Sequence, residues 1–281
     1  MDALSRVAVI AGYEWRRALA KKKILALIIL TVAFQTLIML GLSALIRTGG
    51  SVFLTSEAVS FMWIFGVLEG QSLFVPLIAI IVAGGSMSEE YEHGTADILL
   101  SKPVTRLEYM FGKLLGGFSL LAVIEALLSV VGVVLSLWFF GAQSGLQFAP
   151  FMFLAIVYSS LIFFCLSFMF SEVFRGSTLA MLAALGVLIA LSVISPFLSM
   201  LYSATGQQAY NYLSKGIPTW AATNFPSLLL SKLLTAPSAV LSASDLEDLY
   251  LAALIIAVYA IVFILITAYR LLKSDVTKKT G

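Results

Sequence analysis

The residues able to do chemistry crowd into one stretch, Ser86–Lys113, which reads SMSEEYEHGTADILLSKPVTRLEYMFGK. Five of the chain's fifteen acidic residues fall there, Glu89, Glu90, Glu92, Asp97 and Glu108, with its one histidine, His93. Carboxylates at this density can pair with basic groups of another protein, hold a cation, or pair with Arg16 and Arg17 of the same chain. A lone histidine with no second ligand at coordinating spacing reads as a solvated loop residue rather than a metal ligand or pH switch. No catalytic constellation accompanies the stretch: there is no His-Glu-x-x-His motif and no pair of aspartates inside an apolar run. A phosphate-cradling loop is absent too, because Gly112-Lys113 is followed by Leu114 and Leu107 stands where the first glycine would be.

The surroundings explain why charge gathers here. The chain has 281 residues, 60% of them hydrophobic and 11% charged, with a mean hydropathy of +1.03. A soluble domain cannot bury that much apolar surface, whereas lipid accepts it, so composition indicates an integral membrane protein. Charge inside the hydrocarbon costs roughly 2.5–3.5 kcal/mol or more per residue, which drives it to water or to a partner. The net charge of +2, without a basic stripe, speaks against nucleic acid as a partner. The single cysteine, Cys165, has no disulfide partner.

Apolar runs long enough to cross a core of about 30 Å number six. They are 24–46, 67–87, 114–140, 149–170, 177–202 and 249–272. The first is too long for the apolar region of a signal peptide and reads as a retained anchor. The second extends outward to Phe61 and holds Gly66, Glu69, Gly70 and Pro76, which predicts a break or re-entrant turn near Gly66–Gly70. With the N-terminus inside, 14 of the 17 basic residues fall on the cytoplasmic side, leaving Arg47, Lys215 and Lys232 outside. An even number of spans with both termini cytoplasmic satisfies the positive-inside rule.

Local signals place the remaining pieces. Residues 1–23 carry Leu4, Val7, Ala8, Ala11, Trp15, Ala18 and Leu19 at helical spacing, with Arg6, Tyr13 and Arg17 opposite, which predicts an amphipathic elbow helix on the cytoplasmic face. The alternative is a helix that simply continues the first span. Gly94 ends the second span's helix and Thr95 opens a short helix over 96–101, stopped before Pro103. Thr105-Arg-Leu-Glu108 is a capping box, so the third span's helix starts near Arg106, clear of the lipid. Ile98, Leu99 and Leu100 then form an apolar tip on a charged rim, as a docking surface requires.

The run Glu89-Glu90-x-x-x-Gly94-Thr95-x-x-x-Leu99-Leu100-x-x-Pro103-x-x-Arg106, followed by Gly112-Lys113, resembles the cytoplasmic loop between spans two and three of ABC-2 type permeases. These are membrane subunits of ATP-binding-cassette exporters. The likeness is greatest to the stand-alone subunits associated with nitrous-oxide-reductase maturation, sodium export or peptide-antibiotic export. The resemblance implies an all-α membrane protein of six transmembrane helices, with an N-terminal elbow helix and a cytoplasmic coupling helix at 88–113. It implies that Glu89, Glu90, Glu92, Gly94, Thr95, Ile98, Leu99, Leu100, Pro103, Arg106 and Lys113 face a separate ABC ATPase. Two ATPase copies would bind ATP and Mg, leaving this chain without a cofactor or an enzymatic activity of its own. A second permease would complete the assembly in the plasma membrane, working by alternating access; a homodimer is the simplest form, and two different permeases would serve equally well. The competing class is a stand-alone secondary transporter or channel, which predicts matched internal repeats that the two halves do not show.

Two features lie apart from the loop. Glu125 sits twelve residues past Lys113, about 18 Å along the helix, at mid-membrane. It reads either as part of a substrate pathway or as a carboxyl hydrogen-bonded to a neighbouring helix. The extracytoplasmic segment 203–248 carries Tyr210, Tyr212, Trp220 and Phe225 with three prolines, which suits a helical cover at the headgroups and a place for an outer partner.

Overall fold

The computed structural model describes residues 3–48, 56–95, 104–235, 237, 240–241 and 246–273. Ile98, Leu99, Leu100 and Pro103, with the short helix expected over 96–101, lie outside the described residues. The described chain is helical, with α1 (Ala3–Leu19), α2 (Lys22–Arg47), α3 (Ser56–Val59), α4 (Met62–Ser72), α5 (Phe74–Gly84) and α6 (Ser88–Glu92). There follow α7 (Arg106–Phe140), a 3-10 turn at Leu146–Phe148, α8 (Ala149–Phe174), α9 (Ser177–Thr205), α10 (Gln208–Lys215), α11 (Pro218–Leu233) and α12 (Leu246–Lys273). No strand occurs among the described residues.

Six segments are long and apolar enough to cross a membrane: α2, the run Met62–Glu92, α7, the run Leu146–Phe174, α9 and α12. Each contains the core of an expected span. The second and fourth segments are the most buried, and α5 with α8 forms the centre of the bundle. The other helices wrap around them. Leu25, Ile29 and Leu37 of α2, Leu182, Ile189 and Val193 of α9, and Leu254, Ile261 and Leu265 of α12 remain exposed, an apolar surface suited to lipid.

The interruption of the second segment falls at Leu73, between α4 and α5, rather than at Gly66–Gly70. Pro76 is the cause: it lacks the N–H that would bond the Ser72 carbonyl, and its ring crowds that turn. Gly66 serves packing instead. A Cβ on it would come within 3.0 Å of the Gly132 carbonyl oxygen, so α4 and α7 cross backbone to backbone.

α7 has 35 residues and runs about 52 Å, well beyond a hydrocarbon core of roughly 30 Å. Its first turns carry α1 alongside. Arg6 meets Glu108, Ile10 lies over Gly112, Ala11 over Gly116, and Trp15 Nε1 donates to Ser119 Oγ at 2.8 Å, so the two helices advance together. The chain then turns. Lys21 is extended, and Gln35 has reached only the Leu128 carbonyl, so α2 does not continue α1 in a straight line.

At the opposite end of the bundle, the segment after α9 is helical as expected but does more than cover the surface. α10 folds back along α9, where the Ser214 hydroxyl donates to the Ser195 carbonyl at 3.0 Å. Thr219 of α11 donates to the carbonyl of Leu191, the midpoint of α9, at 3.0 Å. α11 packs against α8 and α12, with Ala221, Ala222 and Phe225 in the main core. The hairpin penetrates the bundle.

Replacing Gly116 by valine is expected to pry α1 from α7, because an added Cβ would lie 2.7 Å from the Ala11 Cα and 2.8 Å from its carbonyl oxygen. Overpacking of this kind costs about 1–3 kcal/mol. Thermal unfolding in detergent should fall and trypsin should gain access at Arg16 and Arg17. Gly186→Ala, with nothing within 4 Å of the new carbon, is the neutral control.

Candidate functional site

The polar stretch before α7 folds back into the protein. Lys113, on the second turn of α7, is fully buried. Its ammonium pairs with Glu90, lies 3.0 Å from Glu14 Oε2 and donates to the Ser86 carbonyl at 2.7 Å. Glu14 and Glu90 are themselves 1% and 3% exposed, so three charges are withdrawn from water together. Glu90 also accepts from the Tyr109 hydroxyl and, at 3.4 Å, from Arg17. Arg17 reaches Glu14 at 2.8 Å and the carbonyls of Gly85 and Ser86 at 2.9 and 2.8 Å. Lys21 closes the group on Glu89 at 2.6 Å. Three carboxylates thus face three cations, a balance that burial demands.

These surroundings set the proton affinities at the edge of the cluster. Burial works against the Arg17 charge, but Glu14, Glu89 and Glu90 outweigh it and hold its pKa above the ordinary value. For Lys21, burial prevails over the bond from Glu89, and the pKa is lowered. Arg6 is raised chiefly by its hydrogen bond to Glu108.

α6 makes a separate attachment with each successive side chain. Glu89 holds Lys21 at the α1–α2 turn. Glu90 holds Lys113 and Tyr109 of α7. Tyr91 donates to Glu172 of α8 at 2.7 Å, while the Arg175 guanidinium lies 4.7 Å from the centre of its ring. Glu92 accepts from the backbone N–H and hydroxyl of Ser177, at 2.8 and 2.7 Å, an acid at the N-terminus of α9. The start of α6 is held as well, since Ser171 Oγ accepts from the N–H groups of Met87 and Ser88. Arg106 completes the set by donating to the Leu271 carbonyl of α12 at 2.7 Å.

Of the residues expected to face an ATPase, Glu90 and Lys113 are therefore interior, and Glu89 and Arg106 are partly buried with partners in the chain. Glu92, Gly94 and Thr95 are exposed, and Gly94 has the positive φ of +67° that ends α6. His93 is exposed, its Nδ1 2.6 Å from the Glu89 carbonyl oxygen. The capping box is present: Thr105 Oγ accepts from the Glu108 N–H at 3.2 Å, and Glu108 accepts from the Thr105 N–H at 2.8 Å. Glu108 also pairs with Arg6 at 2.5 Å.

Glu14, Tyr91, Tyr109 and Glu172 join this site without having been singled out by sequence. One signal was present for Glu14, the sole acidic residue between Asp2 and Glu57 in an otherwise basic and apolar stretch. Glu125 lies apart, fully buried in the interior of α7.

A bundle of six membrane-length helices, tied at one end by a buried charged junction and entered at the other by a helical hairpin, is a multi-pass membrane protein built to hold its helices in fixed relation. The family model for ABC-2 family transporter proteins matches residues 8–276, and the chain belongs to that family. It is thus an ABC transporter permease, and membership implies an ABC ATPase as partner. A search of curated proteins finds no match.

Lys113→Met would leave Glu14 and Glu90 buried against a diminished positive charge. Removing one member of a buried pair costs about 3–5 kcal/mol, so the variant should unfold at clearly lower temperature in detergent. Adding Glu90→Gln should recover part of the loss in a double-mutant cycle. An unshifted melting temperature for Lys113→Met would refute the burial of the pair.

Proposed function

We propose that this permease moves its substrate outward by alternating access, driven by ATP hydrolysis on a separate ATPase. The observation that carries the reading is the set of attachments made by Glu89 to Glu92, joining one short helix to the α1–α2 turn, α7, α8 and α9. A push on the adjoining loop would reach four parts of the bundle through hydrogen bonds and ion pairs rather than through flexible chain. Two ATPase copies, holding ATP and Mg, dock against the exposed Glu92, Gly94 and Thr95 and against Ile98, Leu99, Leu100 and Pro103. Closure of the ATPases over ATP then moves both coupling helices of a homodimer. The resemblance of the loop motif supports export over import.

The same reading sets the topology. Lys22, Lys23, Arg106, Arg175, Arg270 and Lys273 belong to the helix ends around the junction, which supports a cytoplasmic junction with both termini inside the plasma membrane. α1 lies along the cytoplasmic face as an elbow. The chain contributes no nucleotide site and no catalysis, and the penetrating α10–α11 hairpin faces any extracytoplasmic partner.

Co-purification with a candidate ABC ATPase from mild detergent tests the proposal. Wild-type protein should retain the ATPase and change its hydrolysis rate, whereas Leu99→Arg and Leu100→Arg should lose both while melting as wild type. Failure of the ATPase to bind wild type, or unchanged binding by both variants, would overturn it.

A further inference from the structure

A chamber of about 280 Å³ lies inside a single subunit, between the α4–α5 break, α8 and α11. Its apolar walls include Leu68, Val75, Ile156 and Phe163. The four serines in its lining bond back onto their own helices, as hydroxyls elsewhere in the spans do. Ser72 donates to the Glu69 carbonyl at 3.1 Å, Ser159 to Ala155 at 2.8 Å, Ser160 to Val157 at 2.7 Å and Ser227 to Asn224 at 2.8 Å. Each hydroxyl hydrogen is thereby turned onto its own helix, and the oxygen lone pairs remain for the chamber. The Asn224 amide nitrogen is likewise directed to the Trp220 carbonyl at 2.8 Å.

One buried group strengthens this bias. Gln71, 2% exposed, lines the chamber and gives its amide nitrogen to Ser129 Oγ at 3.1 Å, which leaves its Oε1 buried with no hydrogen-bond partner. Glu125, outside the lining, stands beside Ser160, whose oxygen can accept from its carboxyl. An unpaired buried polar group costs about 1–3 kcal/mol, so the Gln71 oxygen is poised for a donor. The one charged residue among the described lining is the acidic Glu69, exposed at the edge with Thr223, and no basic side chain lines the chamber.

We propose that this chamber is a binding site for a small protonated amine with an apolar body, held within one subunit by Gln71, Ser159 and Ser160. An ammonium group offers up to three donors to a lining that presents acceptors, while the walls take its hydrocarbon part. An anion or an acceptor-rich solute would meet lone pairs on every side. The inference does not depend on ATPase docking, since the site is complete in the isolated subunit.

Isothermal titration of the purified subunit in detergent with benzylamine, against uncharged benzyl alcohol of similar shape, tests it. Benzylamine should bind saturably and benzyl alcohol should not. Gln71→Leu and Ser159→Ala, each melting as wild type, should weaken benzylamine roughly tenfold, the loss expected for one hydrogen bond to a charged group. Ser159→Ala removes only an oxygen whose hydrogen faces its own helix, so it remains informative if Gln71→Leu misfolds. Equal binding of amine and alcohol, or full benzylamine affinity in the folded variants, would overturn the proposal.

Discussion

The buried ammonium of Lys113 is the constraint around which one end of this protein is organised. A charge without exposure is tolerable only with opposite charge and hydrogen bonds in immediate contact, and Glu14 of α1 supplies them together with Ser86 and Glu90 of the stretch around α6. This requirement fixes register. α1 must lie where Glu14 meets Lys113, which in turn requires Gly112 and Gly116 on the facing side of α7, since side chains there would collide with Ile10 and Ala11. Ion pairs of this kind contribute little net stability compared with apolar packing, but they penalise every misaligned arrangement. Here specificity of position is the gain.

The two ends of the bundle are held by different physics. At the junction, polar side chains connect helix termini that apolar packing alone would leave free to slide, and the contacts are directional and short. At the opposite end, α11 enters the bundle mainly through apolar contacts and a few hydroxyl bonds, such as Thr219 to Leu191, while α10 stays largely exposed along α9. Apolar contacts tolerate small sliding better than fixed ion pairs do. The arrangement suits a motion in which the junction travels as a unit and the bundle opens elsewhere, as the proposed alternating access requires. α7 links the two regions, because its 35 residues carry both the junction and the interior Glu125.

Features governed by local rules were legible in the sequence. The spans were visible as apolar runs because a membrane crossing needs about 20 consecutive apolar residues whatever their neighbours. The Thr105–Glu108 capping box was visible because its hydrogen bonds involve residues three apart. Features that depend on distant contacts were not. Pairing of the acidic cluster with Arg17 was within reach of the sequence, but the burial of Lys113 was not, since nothing local reveals that Glu14, 99 positions before it, would meet it. The break at Leu73 shows two local signals competing: glycine permits a bend, but proline removes a hydrogen bond, and the proline prevailed while Gly66 went to helix packing. The depth of α11 escaped because its mixture of aromatic, hydroxyl and apolar residues suits a headgroup interface and a polar-lined interior equally well.

Polar residues within the spans divide by one criterion, whether their own helix satisfies them. Thr31 bonds the Leu27 carbonyl, Thr36 that of Val32 and Thr267 that of Phe263, all at 2.7–2.8 Å, and such hydroxyls need nothing from a partner. Gln35 and Gln71 differ, because their side chains are too long to turn back onto the preceding carbonyl, and each keeps a buried oxygen without a hydrogen-bond partner. Gln35 is the milder case, since its nitrogen ties α2 to the Gly66 and Leu128 carbonyls where α4 and α7 cross. Gln71 likewise ties α4 to Ser129 of α7, and Glu125 stands beside Ser160 of α8. The Gln71 Oε1 that faces the chamber is then the oxygen the fold leaves over, and a donor entering from outside would satisfy it.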